Sequence, residues 1–223
     1  MRSIILAAGQ GNRLSSITKD PKCLLRIGPQ SLLERQLMYL PDPTIVVGHR
    51  HKKVMDAAKG AKFIYNPLYN RSNTLISLLF ALAQDQSDTF VVNGDVYFDV
   101  DLPTGMQKIM FSSCAVTKLY TDPTGEEVCV DIDRDFVRSI GKHVRSRAES
   151  VGVYLLRKEM IEMMLETVPA MSQDITNLYY EDVLNKCLIR PMMPVLAIDS
   201  VEIDTPADYE QAVRKKGTWE VVK

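Results

Sequence analysis

The chain opens with Arg2-Ser3-Ile4-Ile5-Leu6-Ala7-Ala8-Gly9-Gln10-Gly11-Asn12-Arg13-Leu14 and reaches Asp20-Pro21-Lys22 shortly after. Ile4 to Ala8 is a short apolar run bounded by a glycine turn, the pattern of a buried strand feeding a loop. A strand that breaks into Gly-x-Gly presents several backbone N–H groups to one point, which suits a phosphate chain. Arg13 and Lys22 place two cations on the same loop. The loop lacks the Gly-Lys-Ser/Thr of a Walker A, and Leu14 stands where a dinucleotide fingerprint needs its third glycine.

Beyond this loop, strand and helix patterns alternate. Ser31–Leu40 has helical spacing at Leu32, Leu33, Gln36, Leu37 and Leu40, with Ser31 as the N-cap and Pro41 and Pro43 ending it. Thr44–Val47 reads as a strand, His51–Lys59 as a polar helix and Lys62–Tyr65 as a strand. Thr74–Ala83 follows as a helix and Thr89–Val92 as a strand. Such βα units predict a mainly parallel sheet with crossover helices. The second half reads differently: strands at Ser112–Leu119, Val128–Ile132, Phe136–Ile140 and Val151–Leu156 are joined by polar turns, including Asp122–Gly125 and Asp133–Asp135. Helices are expected at Lys158–Thr167, Tyr179–Leu188 and Pro206–Lys215, with strands at Met193–Ala197 and Val201–Ile203. No repeat or linker interrupts the chain. One α/β domain is expected over 1–223, with a nucleotide-binding half (1–100), an acceptor-binding half (101–216) and a peripheral tail (217–223).

Bulk properties exclude several classes. The 223 residues are 46% hydrophobic and 25% charged with net charge −1, leaving no global field for nucleic acid or an anionic membrane. No apolar run is long enough to span a bilayer, and no signal-peptide pattern precedes the first strand. Cys23, Cys114, Cys129 and Cys187 show no metal or redox spacing, so reduced thiols in a cytoplasmic protein are expected. His49 and His51 lie on a loop and read as solvent-facing.

Two acidic clusters carry chemistry. Val91-Val92-Asn93-Gly94-Asp95 ends an apolar strand in Asn-Gly-Asp, so the Asp95 carboxylate emerges at the strand's C-terminal edge, where α/β sheets bind ligands. The same tripeptide also makes a good turn. In Val201-Glu202-Ile203-Asp204-Thr205-Pro206, both carboxylates can project from one face of a short strand. Asp204 or Thr205 could equally cap the helix starting at Pro206, although a cap has no need of Glu202. Mg²⁺ takes one or two carboxylates plus substrate phosphates, which Asp95 and Asp204 would supply if brought together.

The opening loop with Arg13-Leu14 and Pro21-Lys22, the strand ending at Asp95, and Glu202-x-Asp204-Thr205-Pro206-x-Asp208-Tyr209 resemble, in order, the nucleotidyltransferase superfamily. The resemblance implies a Rossmann-like three-layer α/β/α sandwich with a mostly parallel mixed sheet. It places Leu6, Ala7, Ala8, Gly9, Gly11 and Gly94 around the nucleotide, and Arg13 and Lys22 on phosphates. Asp95 and Asp204 then hold the catalytic Mg²⁺, with Glu202 as a further ligand. Asn66-Pro67-x-Tyr69…Ser72-Asn73-x-x-x-Ser77-Leu78 is similar to cytidylyltransferases acting on phosphocholine, aminoethylphosphonate and inositol phosphate. By that likeness Asn73 and Ser77 contact the nucleotide; by helix physics alone, Ser72 or Asn73 caps a helix whose leucines fill the core. Ile140-Gly141-Lys142 resembles the same branch, where the lysine meets the acceptor phosphate; a solvated turn lysine is the plain alternative.

The expected activity is transfer of CMP from CTP to a small phosphate- or phosphonate-bearing acceptor with release of pyrophosphate. Tyr97, Tyr120, Tyr154, Tyr179 and Tyr180 are candidate walls for a quaternary ammonium, and Glu181 and Asp182 are carboxylates for an amine. Both acids also suit a helix start, and tyrosines commonly serve as packing residues. A sugar-1-phosphate nucleotidyltransferase using UTP, dTTP or GTP shares the loop, Asp95 and Asp204. A non-catalytic nucleotide-binding module would lack a metal carboxylate or a phosphate cation, and this chain has all four. The second-half strands offer a surface for a homodimer.

Overall fold

Every residue of β1 (Arg2–Ala7) is buried, as a strand covered on both faces must be. The computed structural model describes residues 1–98, 102–109, 112–119, 127–172, 174–196 and 200–219. Tyr120, the 122–125 turn, residue 197 and the end of the tail lie outside them. After β1 come a ribbon of β2 (Arg26–Ile27) and β3 (Gln30–Ser31), α1 (Leu32–Tyr39), β4 (Pro43–Val47), α2 (His51–Ala57) and β5 (Lys62–Tyr65). Next are α3 (Thr74–Leu82), β6 (Thr89–Asn93), β7 (Val96–Tyr97), α4 (Leu102–Gln107), β8 (Ser113–Leu119), β9 (Cys129–Asp133) and β10 (Phe136–Gly141). The chain ends with β11 (Ala148–Leu156), α5 (Lys158–Thr167), α6 (Tyr180–Cys187), β12 (Met192–Leu196), β13 (Val201–Glu202) and α7 (Pro206–Trp219).

Nine strands share one sheet in the order β10-β9-β11-β6-β1-β4-β5, with β8 beside β11 and β12 beside β8. The four strands β5, β4, β1 and β6 run parallel, as the βα pattern predicts. The second half joins the same sheet antiparallel, through Val153 to Leu156 of β11 against β6. Consecutive β1 residues face opposite layers. Ile4 and Leu6 pack with Leu75 and Leu78 of α3, Ile161 of α5 and Leu184 of α6. Ile5 and Ala7 pack with Leu33 of α1, Val54 of α2 and Met106 of α4. Helices thus cover both sheet faces, the α/β/α arrangement expected.

A smaller cluster decides where the functional loops sit. Leu14, Leu25, Ile27, Leu32, Tyr97, Val201, Ile203 and Ala212 form a separate apolar group. It fastens the chain after the glycine loop to β7, β13 and α7. β2, β3, β7 and α4 have no counterpart in the sequence reading: two-residue strands carry no period to detect, and α4 contains Pro103 and Gly105. Strand β11 starts earlier than its apolar run because Ala148 and Glu149 pair with β9. Among the described residues, no helix is long and apolar enough to cross a membrane.

Candidate active site

Two acidic segments far apart in sequence meet through a minimal ribbon. Val201 pairs with Tyr97 and Glu202 with Val96, antiparallel, and the Ile203 N–H donates to the Asp95 carbonyl at 3.0 Å. This register sets Asp204 beside Asp95. Gly94 fits tightly beneath: its N–H donates to the Leu6 carbonyl at 2.9 Å, and a Cβ there would stand 2.9 Å from that oxygen. Any side chain at Gly94 would therefore push the Asp95 turn away from the end of β1.

Lys22 joins the two acids. Its Nζ donates to Asp95 Oδ2 at 3.0 Å and also pairs with Asp204 Oδ1. Arg13 donates to the other Asp204 oxygen, Oδ2, at 2.7 Å. Gly11, at φ 65°, makes room for Lys22, since a Cβ would lie 2.6 Å from Lys22 Cγ. Gly9 differs, because a Cβ there would meet nothing within 4 Å. Its space belongs to the cavity and not to the protein's own packing.

These groups line a cavity of about 380 Å³ at the C-terminal edge of β1 and β6, a size that suits a small molecule. Leu6, Ala7, Gly9, Gly11, Arg13, Lys22, Asn73, Gly94, Asp95, Lys142, Glu181, Glu202 and Asp204, all expected from the sequence, border it. Ala8 does not: it is buried, and its carbonyl accepts from His49 N–H at 3.0 Å. Ser77 is also absent from the lining, buried on α3 where its Oγ accepts from Asn66 Nδ2 at 3.0 Å. Asn73 precedes α3 without capping it through its side chain; its Nδ2 donates instead to the Asn177 carbonyl at 2.7 Å.

Among the described candidate tyrosines, only Tyr179 borders the cavity. Tyr97, Tyr154 and Tyr180 are at most 1% exposed. Tyr97 packs in the apolar group under β7 with the Arg35 guanidinium 4.7 Å from its ring centre. Tyr154 and Tyr180 stack edge to face at 5.4 Å. Their hydroxyls serve other residues: Tyr154 donates to Glu181 Oε1 at 3.3 Å and Tyr180 to Asn93 Oδ1 at 3.2 Å. Tyr179 does line the cavity, and Lys142 Nζ sits 4.8 Å from its ring centre. Asp182 caps α6 by accepting from the Tyr179 N–H at 2.8 Å, whereas Glu181 turns inward and is 3% exposed. His49 and His51 are half-buried, with rings 6.2 and 5.0 Å from those of Tyr69 and Tyr65.

Electrostatics separates the carboxylates by role. Burial alone would lower the Lys22 pKa, but Asp95 and Asp204 outweigh it and hold the ammonium above its ordinary value. Burial pushes Glu202 well up, and the nearby Asp95 and Asp204 push it further. Its Oε1 accepts from Asn93 Nδ2 at 3.3 Å. Burial raises Glu181 to about 7. Burial and then Asp95 raise the Cys23 thiol to about 12, so it stays protonated at neutral pH.

A divalent cation fits part of the expected donor set. Asp95 Oδ1 is buried without a hydrogen-bond partner, an arrangement that costs free energy unless a cation or donor satisfies it. Among the described residues, no three His, Cys, Asp or Glu side chains converge to hold a metal. Glu202 borders the same cavity, close enough to feel the charges of Asp95 and Asp204, with its Oε1 engaged by Asn93. Asp95 and Asp204 remain the pair able to hold Mg²⁺, with the other ligands coming from water and phosphate oxygens. Sequence reasoning did not assign Asn12, Cys23, Thr74, Asn93, Val128, Ser150 and Gly152 to the lining, and the available signal was that Asn12, Cys23, Thr74 and Asn93 neighbour named motif residues.

Residues 3–115 match the family described as "MobA-like NTP transferase domain". The choline-phosphate cytidylyltransferase of Streptococcus pneumoniae is 32% identical over 106 residues, covering 44% of this chain and 45% of that protein. The CMP-5'-(3-aminopropyl)phosphonate synthase of Streptomyces rubellomurinus is 25% identical over 95% of this chain and 38% of that protein. This chain thus spans less than half the length of either relative. Among solved structures, a CTP:phosphocholine cytidylyltransferase from Streptococcus pneumoniae superposes with a TM-score of 0.78 at 22% identity, covering all of both chains.

Proposed function

Since the chain belongs to the MobA-like NTP transferase family, we propose that it is a Mg²⁺-dependent cytidylyltransferase acting on a small acceptor that bears a phosphate or phosphonate. The observation that carries this reading is the chain of Arg13, Asp204, Lys22 and Asp95 across the mouth of the glycine loop. It sets two cations and two carboxylates where a triphosphate resting on Gly9 would lie. An acceptor oxygen attacks the α-phosphorus of CTP; the new O–P bond forms as the bond to the β-phosphate oxygen breaks, and pyrophosphate leaves. Mg²⁺, when held by Asp95 and Asp204, supplies charge neutralisation between nucleotide and acceptor oxygens.

The protein's own groups do the rest by position and charge. Lys22 offsets charge at the α-phosphate, and Arg13 takes the departing pyrophosphate. Lys142 on the opposite wall meets the acceptor phosphate or phosphonate, with Tyr179 beneath its ammonium. Asn73 and Thr74, at the start of α3, border the nucleotide side. Similarity to a choline-phosphate cytidylyltransferase and to a CMP-aminopropylphosphonate synthase supports cytosine and these acceptors.

A matrix of nucleoside triphosphates against phosphocholine, aminoalkylphosphonates, inositol phosphate and sugar 1-phosphates, scored by pyrophosphate release, tests the reading. The expected result is release with CTP and a non-sugar acceptor. Release only from a sugar 1-phosphate with UTP, dTTP or GTP overturns it in favour of a sugar nucleotidyltransferase. Nucleotide binding without turnover across the whole panel would point to a non-catalytic module.

A further inference from the structure

Gln36 occupies an apolar position on the inner face of α1 and is 1% exposed. Its amide reaches through the core to the turn that carries Asp95. The Nε2 group donates to the Asn93 carbonyl at 2.9 Å and to the Val96 carbonyl at 2.9 Å. An amide nitrogen has two hydrogens, and here one goes to each side of the Gly94-Asp95 turn. The opposite flip would set the amide oxygen against two carbonyls, so the hydrogen bonds fix the orientation. Oε1 is left buried without a partner. A leucine or methionine would fill this space without that unsatisfied acceptor, so packing alone does not account for a glutamine.

The rest of the turn's main chain is tied to the site itself. Gly94 N–H is held by Leu6 and the Asp95 carbonyl by Ile203 N–H. Gln36 is the attachment to the layer behind the sheet. The neighbouring Arg35 extends that grip, donating through Nε to the Phe98 carbonyl at 2.7 Å. The helix is itself anchored, since Ser31 and Glu34 cap its first turn reciprocally.

We propose that Gln36 is a positioning residue for nucleotidyl transfer: by stapling Asn93 to Val96 from behind, it sets where the Asp95 carboxylate stands against Lys22 and Asp204. The inference rests on the reading of Asp95 and Asp204 as the cation-holding pair. It predicts that loss of the staple loosens cation binding and turnover together and leaves substrate recognition by the front of the cavity alone.

The test is Gln36→Met, which keeps length and apolar bulk and removes both donors. Binding of Mn²⁺ to the protein without substrate is measured by electron paramagnetic resonance, and CTP turnover in a separate assay. The expected result is a roughly tenfold weaker Mn²⁺ affinity and a roughly 10- to 100-fold lower kcat, with KM for CTP within about twofold. Leu37→Ala, a packing loss on the same helix, serves as the control and leaves Mn²⁺ affinity and kcat at parental values when compared at equal distance below Tm. Gln36→Glu, isosteric but unable to donate when ionised, should repeat the loss and replaces Gln36→Met if that variant does not fold. Parental Mn²⁺ affinity and kcat in either Gln36 variant overturn the inference and leave the proposed function standing. Failure of the parent protein to bind Mn²⁺ overturns the inference and the cation-site reading together, while absence of CTP turnover with Mn²⁺ still bound removes only the proposed reaction.

Discussion

The two halves of the sheet reach the cavity by different means. The parallel half delivers it on turns at the strand ends: the end of β1, the glycine loop with Arg13 and Lys22, and the Gly94 turn with Asp95 stand at the edge where parallel strands stop. The antiparallel half delivers side chains, Lys142 from the turn after β10, and Tyr179 and Glu181 from the start of α6. Backbone geometry follows from local sequence, so the first set is fixed by residues close in the chain. The second set depends on which face of a doubly covered strand or helix turns inward, which only the assembled fold decides.

The sharpest way to break this contrast is to remove charge from the backbone-defined side. Asp95→Asn is expected to lower kcat for CTP turnover by at least about 10²-fold, with an unchanged circular dichroism spectrum; near-parental activity would sink the role given to Asp95. Lys22→Met comes next. It leaves two facing carboxylates without their shared cation, so kcat should fall by a similar factor and unfolding free energy should drop by about 3 kcal/mol, read by urea titration. A variant as stable as the parent would show that the bridge contributes nothing to the fold.

Side-chain-defined positions should give smaller and more selective effects. Lys142→Met is expected to raise the acceptor KM about tenfold while the CTP KM stays put, as measured in the pyrophosphate assay. Equal changes in both would place Lys142 on the nucleotide instead. Glu181 gives an effect on stability alone, and a pH-dependent one. Burial raises its carboxyl from 4.5 to about 7, so the folded protein holds its proton where the unfolded chain has lost it. Stability from this group, about 3 kcal/mol, is full below pH 4.5 and is lost as pH rises through about 7. Glu181→Gln should therefore flatten the pH dependence of Tm between those values and raise Tm at pH 8; an unchanged slope refutes the assignment.

Much of the architecture could be read from the sequence because periodicity and burial agree in this chain. Lys62–Tyr65 and Lys158–Thr167 match the observed β5 and α5 from end to end. The Ser31 cap forms as read, with Glu34 completing it. Tyr154 shows where such reasoning stops. Its neighbours Val153 and Leu155 pack on the α1–α2 side and Tyr154 on the α6 side, so alternation at this end of β11 chooses between two cores and does not turn Tyr154 to the cavity. Asp95 and Asp204 were each legible as acids at a strand end, but their meeting depends on a two-residue ribbon too short to leave a pattern. Gln36 did carry a local signal, a polar residue in an apolar helical stripe, yet its partners lie on β6 and β7 and no spacing reveals them.

The bridge from Lys22 to Asp95 and Asp204 has a thermodynamic consequence. With its ammonium between them and Arg13 on Asp204, the carboxylate pair is balanced in charge, so a bare cation must compete with tethered ones of very high local concentration. A triphosphate changes that balance, because it offers Lys22 another anion and brings its own oxygens to the metal. Affinity for cation and nucleotide should then rise by the same factor in each other's presence, as linkage requires. On the proposed reading, the site holds a bare divalent ion, and holds it more tightly once the nucleotide is in place.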